Sequence, residues 1–176
     1  MFAKKPSTPK PLWAVQLLTT EYLVDGSLDY DDPTGSWFLQ VQAGDLAMAT
    51  LNLTQARFQP TGGLNVTMPT AAKWTLPSTG LFVACIPRDE ASTAYALKHN
   101  SSSRNPISAV VFVGPYAIRG TILSPDKNLD ILGGYQAFAM EQAVIDCLVP
   151  GSRLTGLAAP YLLVRSLLLH GIVTSG

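Results

Sequence analysis

Few side chains in this chain of 176 residues could carry out catalysis. Ser7 and Ser124 each stand three residues before a lysine, the spacing that a Ser-Lys nucleophile pair uses. The first serine lies in an opening interrupted by prolines. The second begins a Pro-Asp turn, and turn chemistry accounts for its presence. Because the sequence also has no Gly-x-Ser-x-Gly elbow and no phosphate-binding loop, we expect no catalytic residue and no enzymatic activity.

Potential metal ligands are equally sparse. The two histidines, His99 and His170, and the two cysteines, Cys85 and Cys147, do not form the closely spaced pairs of a closed zinc site. An acidic cluster lacks the glycine and the terminal glutamate of a calcium loop; it comprises Asp25, Asp29, Asp31 and Asp32. We expect no metal, no cofactor, and two free, buried thiols in a cytoplasmic protein, although the sequence leaves a bridge between them open.

The composition excludes several classes of protein. Hydrophobic residues make up 47% of the chain and charged residues 14%, with zero net charge, which is unlike a disordered chain or a polyanion binder. Three lysines fall in the first ten positions, so the remainder is slightly acidic, and we do not expect nucleic acid as a partner. Seven aromatic residues are expected to anchor a core or an interface: Trp13, Trp37, Trp74, Tyr22, Tyr116, Tyr135 and Tyr161.

The segment from Leu154 to Val173 is long and apolar enough to be tested as a membrane span. Arg165 lies near its middle, where a charge costs roughly 2.5–3.5 kcal/mol on insertion scales, and Pro160 interrupts it. We therefore predict a buried strand or a pair of strands, and no membrane span.

We predict a diverged internal repeat in the chain. Residues 22–28 (YLVDGSL) match 116–122 (YAIRGTI) at an offset of 94, and 46–60 match 136–150 at an offset of 90. Further on, 80–86 match 160–169. The apolar alternation predicts strands, and the glycine inside each Tyr-x-apolar strand predicts a bulge or a sharp bend.

Local signals divide the chain further. Asp89–His99 carries acids at its start and Lys-His at its end, which predicts a short helix, whereas 136–148 favours a strand with a helix left open. The turns at 31–35 and 124–128 correspond in the two halves. We predict a disordered tail over 1–11, a first β-repeat over 12–88, a helix and flexible linker over 89–106, and a second β-repeat over 107–176.

Two segments resemble the Sm-like family of small β-barrels: VQLLTTEYLVDGSLDYDD (15–32) and VVFVGPYAIRGTILSPD (110–126). The resemblance implies a mainly β protein with two bent, barrel-like halves, and it implies assembly into rings by edge-strand pairing. The nucleotide-reading loops of the family have no match, because Arg119-Gly120, the one Arg-Gly pair in the second segment, lies in a different strand. The resemblance therefore does not imply that this chain binds RNA.

Sparse charge indicates that part of the surface is covered by protein. We predict a non-enzymatic structural protein that self-associates, or joins a larger complex, through apolar β-edges. The alternative is an Sm-like binding module for single-stranded RNA or a small regulatory ligand. The expected interface residues come from segments where charge is thinnest: Leu51, Leu53, Phe58, Tyr161, Leu163, Arg165, Leu167 and Leu169.

Overall fold

The computed structural model describes residues 12–29, 51–62, 70–76, 82–101, 105–124, 129 and 137–174. The predicted tail over 1–11, the turn at 31–35 and most of the turn at 124–128 lie outside these residues. So do Asp31 and Asp32 of the acidic cluster.

Most of the described residues lie in one antiparallel sheet of ten strands, which confirms the expectation of a mainly β protein. In the ranges that the structure describes, this sheet is open and does not close into a barrel. The strands are β1 (Leu12–Thr19), β2 (Tyr22–Asp29), β3 (Leu51–Pro60), β4 (Ala71–Leu76), β5 (Phe82–Pro87), β6 (Asn105–Val113), β7 (Tyr116–Ser124), β8 (Ala137–Cys147), β9 (Leu157–Arg165) and β10 (Leu169–Thr174). Their order across the sheet is β10-β6-β7-β8-β9-β5-β1-β2-β3-β4.

Two segments that were ambiguous in the sequence are strands. The segment 136–148 forms β8, which pairs with β7 on one side and β9 on the other, so its backbone groups are satisfied as a central strand. The apolar stretch from Leu154 to Val173 forms two strands, β9 and β10, separated by a 3-10 turn at Ser166–Leu168. These strands pair with different neighbours, and only β9 is mostly buried. In the described part of the chain, no helix is long and apolar enough to cross a membrane.

The two halves of the chain place their strands in the same order. Strands β1–β5 lie in the order 5-1-2-3-4 and strands β6–β10 in the order 10-6-7-8-9. The registers also agree, because Val24 pairs with Phe58 while Ile118 pairs with Ile145, at offsets of 94 and 87. The other strand pairs follow the same rule, with offsets of 94 for β1 and β2, 87 for β3 and β5, and 88 for β4. We call residues related in this way counterparts.

This correspondence corrects two of the sequence alignments. The offset of 90 between 46–60 and 136–150 is three residues too large, since β3 and β8 correspond at 87. The match of 80–86 with 160–169 is also wrong, because β5 has the sheet position of β10, and β9 has that of β4. Burial explains the error: most of β9 is buried in the middle of the sheet and is apolar, whereas β4 lies at an end of the sheet and is mostly exposed.

Each half contains a β-bulge at the predicted glycine, which confirms that prediction. The β2·β3 register shifts at Gly26, and the β7·β8 register shifts at Gly120. The bulged strands carry Gln55 and Gln142 at these points, with positive φ values of 53° and 50°. A Cβ on Gly120 would lie 2.9 Å from the carbonyl oxygen of Glu141, so the close approach of β8 requires glycine there.

The single helix in the described residues, α1 (Glu90–Ser101), connects the two halves and confirms the helix predicted from Asp89. Asp89 caps it, because its carboxylate accepts a hydrogen bond of 2.6 Å from the Ser92 amide. Strand β6 begins at Asn105, so the last two residues of the predicted linker belong to the sheet.

Two clusters of buried apolar side chains hold the sheet together, and both halves contribute to each cluster. The first combines most of the core of the second half with Leu18, Leu23, Val83, Ala84 and Ile86 of the first half. The second combines the core of the first half with Leu123, Ala139, Tyr161 and Leu163 of the second half. Each half therefore buries apolar surface of the other.

Candidate functional site

The junction between the two halves is a strand pairing at the middle of the sheet. Strand β5, the fifth strand of the first half, pairs with β9, the fourth strand of the second half, through Ala84 with Val164 and Cys85 with Leu163. All four residues are buried. The pairing of β5 with β9 thus joins the strands of the two halves edge to edge in one sheet.

A buried tyrosine fixes this junction. The Tyr116 phenol, at the start of β7, donates a hydrogen bond of 2.6 Å to the main-chain carbonyl of Thr19, at the end of β1. Tyr116 is fully buried, and this burial raises the pKa of its phenol well above the ordinary range. The hydroxyl is therefore protonated at neutral pH and can donate this hydrogen bond.

Other contacts across the junction are close. The Cys147 thiol lies 3.9 Å from the carbonyl oxygen of Thr61, to which it donates. Gly114, in the β6–β7 turn, has a φ of +51°, and a Cβ there would lie 3.2 Å from a methyl group of Val83. The Arg165 guanidinium stands 5.2 Å from the centre of the Phe82 ring, and burial lowers the pKa of Arg165. Main chain, aromatic and charged groups all contribute to this contact.

The two ends of the sheet are the counterparts of this junction. Among the described residues, β4 and β10 each have only one neighbouring strand. Strands β4 and β9 are the fourth strands of the first and second halves. Strands β5 and β10 are the fifth strands of the same two halves. The sheet therefore ends in the same two kinds of strand that pair at its centre.

An aromatic strip lies beside the β4 end. Tyr22 packs edge-on against Phe58, with ring centres 6.2 Å apart, and Phe58 packs edge-on against Trp74 at 5.2 Å. All three rings are half-buried. We refer to Tyr22, Phe58 and Trp74 as the aromatic strip.

The structure separates the interface residues predicted from the sequence into two groups. Leu51, Leu53, Tyr161 and Leu163 are buried inside the chain, the last two at the junction between the halves. Phe58 and Leu169 are half-buried, as is Arg165, and Leu167 is 71% exposed. Low charge in β9 therefore reflects contact between the halves of one chain, which a linear sequence cannot distinguish from contact with another chain.

Sequence reasoning treated Tyr22 and Trp74 only as general anchors and gave no role to Thr19, whose contribution is a main-chain carbonyl. The available signal was the match of Tyr22 with Tyr116 at an offset of 94. Its meaning depends on knowing that Tyr116 lies at a junction.

The groups that might do chemistry are separated in space. No group of three or more metal-ligating side chains occurs in the described ranges. Cys85 and Cys147 are free and buried, which answers the question of a bridge between them. Burial raises the pKa of the Cys85 thiol, which therefore stays protonated and unreactive. His170 is exposed on β10.

An open groove of about 450 Å³ lies near the Gly120 bulge, and its lining residues come from β6, β7, β8 and β10. Ser108, Thr121, Gln142 and Thr174 contribute to its lining. Its cation, Arg119, is 61% exposed and forms an ion pair of 3.0 Å with Asp146. Ala109, Val110 and Val173 also line the groove, so its walls are mixed in polarity and its one cation is paired.

Comparison with known proteins adds no further constraint. No family model, curated protein or solved structure matches this chain.

Proposed function

We propose that this chain is a non-enzymatic structural protein built from two Sm-like halves of five bent strands each, and that copies of it associate edge to edge. One observation carries the proposal: the β9·β5 junction pairs a fourth strand with a fifth strand, and the sheet ends in a fourth strand, β4, and a fifth strand, β10. If two copies contact each other in the way that the two halves of one chain do, β10 of one copy lies beside β4 of the next.

The equal strand order and register of the two halves support an origin by duplication. The pairing rule holds for every strand pair within a half, including the bulges at Gly26 and Gly120. A shared five-stranded pattern with bent strands is what the resemblance to Sm-like barrels leads us to expect. Two free thiols, both buried, support our further proposal that the protein acts in a reducing compartment such as the cytoplasm.

Association of this kind is head to tail, because the two contacting surfaces differ. A head-to-tail contact closes into a ring when the rotation between copies permits, and otherwise forms an open filament. Each chain contributes two five-stranded halves, so a ring of chains contains an even number of halves. A ring of six halves would hold three chains.

Light scattering after size exclusion tests the proposal. We expect a discrete multiple of the chain mass of 18.8 kDa, reached as the protein concentration rises. A single species of 18.8 kDa at every concentration up to the millimolar range would overturn the proposed function.

A further inference from the structure

We infer that the aromatic strip of Tyr22, Phe58 and Trp74 is the main contact surface for a second copy of this chain, and that it receives the β10 end of that copy. The inference rests on the proposed function and deepens it, because it identifies the side chains that contact each other and the strength of the contact relative to the internal junction.

In the second half, the counterparts of the aromatic strip are covered by the first half and are buried. Tyr22, Phe58 and Trp74 correspond to Tyr116, Ile145 and Leu162. These three counterparts are fully buried, in the cluster that also contains residues of the first half. The strip is half-buried and wholly aromatic. Large aromatic side chains at the centre of a surface are typical of the residues that dominate binding energy.

The β10 end carries the complementary set. In the first half, four buried residues lie at or near the junction: Leu18, Thr61, Val83 and Ile86. Their counterparts in the second half all retain exposure, and they are Phe112, Leu148, His170 and Val173. Leu148 and Val173, at 56% and 58% exposure, are two of the three exposed large apolar residues in the described part of the chain.

The internal junction also gives the register of the contact. Ala84 pairs with Val164, and their counterparts are Gly171 and Leu76. Leu76 of one copy therefore pairs with Gly171 of the next, and Thr75 pairs with Ile172. In this arrangement the Tyr22 phenol donates to the main-chain carbonyl of Val113, which is the counterpart of Thr19.

The face of the sheet opposite the aromatic strip is polar at the β4 end. The contact between copies is therefore weaker than the β5·β9 junction inside the chain. At the junction, Ala139, Tyr161 and Leu163 cover that face with buried apolar groups. Their counterparts are Asn52, Lys73 and Thr75, of which Thr75 donates a hydrogen bond of 2.8 Å to Asn52. One apolar face and one polar face make a contact that forms and dissociates with concentration, whereas the internal junction stays formed.

Two variants with one altered end each test the inference. His170→Asp with Val173→Asp alters the β10 end at exposed positions, and Trp74→Glu alters the β4 end. A milder variant, Tyr22→Phe, removes only the proposed hydrogen bond and is used if Trp74→Glu lowers the folded fraction, as measured by circular dichroism. Ala94→Glu adds charge at an exposed position of α1 and serves as the control.

We expect the β10-end variant and Trp74→Glu each to be monomeric by light scattering, because every contact needs one β4 end and one β10 end. An equimolar mixture should form a dimer containing one copy of each variant, since one intact pair of ends is then present. Tyr22→Phe should raise the dissociation constant of the wild-type assembly about tenfold, and Ala94→Glu should leave it unchanged.

Three results would overturn the inference. In the first, the β10-end variant keeps the wild-type mass, as a contact between two β4 ends would allow. In the second, the mixture stays monomeric. In the third, the wild-type chain associates but neither end variant changes its mass, which overturns the inference while leaving the proposed function standing. A wild-type chain that never associates overturns both.

Discussion

The Tyr116 hydroxyl lies 2.6 Å from the carbonyl oxygen of Thr19, and this hydrogen bond joins the two halves of the chain across 97 residues of sequence. Both residues are buried, so this hydrogen bond satisfies polar atoms that solvent does not reach. Tyr22 is the counterpart of Tyr116 in the first half, and there it is only half-buried.

Exchange of these two tyrosines for phenylalanine should have different consequences. Tyr116→Phe removes a buried hydrogen bond and leaves the Thr19 carbonyl with one partner fewer, so we expect the free energy of unfolding to fall by about 1–3 kcal/mol in urea titrations. Tyr22→Phe should change the same free energy by less than about 0.5 kcal/mol, because this hydroxyl is not enclosed within the chain. Equal losses in the two variants would contradict the distinction.

Gly120→Ala should be strongly destabilising. The added Cβ would lie 2.9 Å from the Glu141 carbonyl oxygen and 3.0 Å from the Ala143 Cα, both of which are main-chain atoms that cannot move aside cheaply. We expect a loss of about 1–3 kcal/mol, measured as a shift in the urea midpoint at constant slope. Gly62→Ala is the control, because a Cβ there would meet nothing within 4 Å. A neutral Gly120→Ala variant would show that the bulge is not closely packed.

Gln142→Gly should stabilise the fold. Gln142 adopts a φ of 50°, which costs a residue with a side chain about 1–2 kcal/mol relative to glycine, while glycine adds about 0.5–1 kcal/mol of conformational entropy to the unfolded chain. We expect a net gain of about 0.5–1 kcal/mol in thermal or chemical unfolding. Gln59→Gly, on an exposed position of β3 without a positive φ, should instead be destabilising. Loss of stability in Gln142→Gly would indicate a role for the glutamine side chain.

Stability should decrease in alkali because of Cys85. Burial raises its pKa in the folded protein above the ordinary value of 9.0, so the folded state holds the thiol proton more tightly than the unfolded chain does. This contribution is complete below about pH 9 and is lost as the pH rises toward the folded pKa. Between pH 9 and 11 the free energy of unfolding of the wild type should fall more steeply than that of Cys85→Ala, by up to about 1.4 kcal/mol per pH unit. The cavity left by alanine displaces the whole curve without changing its slope. Parallel curves would exclude Cys85 as the source.

The local elements of this protein are predictable from its sequence. Alternating apolar residues around Gly26 and Gly120 indicated strands with bulges, because side chains alternate sides along a strand and glycine permits a close approach of the next strand. Asp89 indicated the start of the helix, since a carboxylate at that position satisfies a free backbone amide. These features depend on neighbours in the chain, so their signals are local.

The positions of the strands at the centre and at the ends of the sheet depend on long-range packing, and no local signal predicts them. Strands β9 and β4 are counterparts, yet β9 is apolar on both faces while β4 is polar on one, because β9 is covered by the other half. For the same reason the low charge of β9 indicated an interface without showing that it lies inside the chain. The role of the Thr19 carbonyl depends on a pairing between residues 97 positions apart, and a main-chain acceptor leaves no signature in residue type.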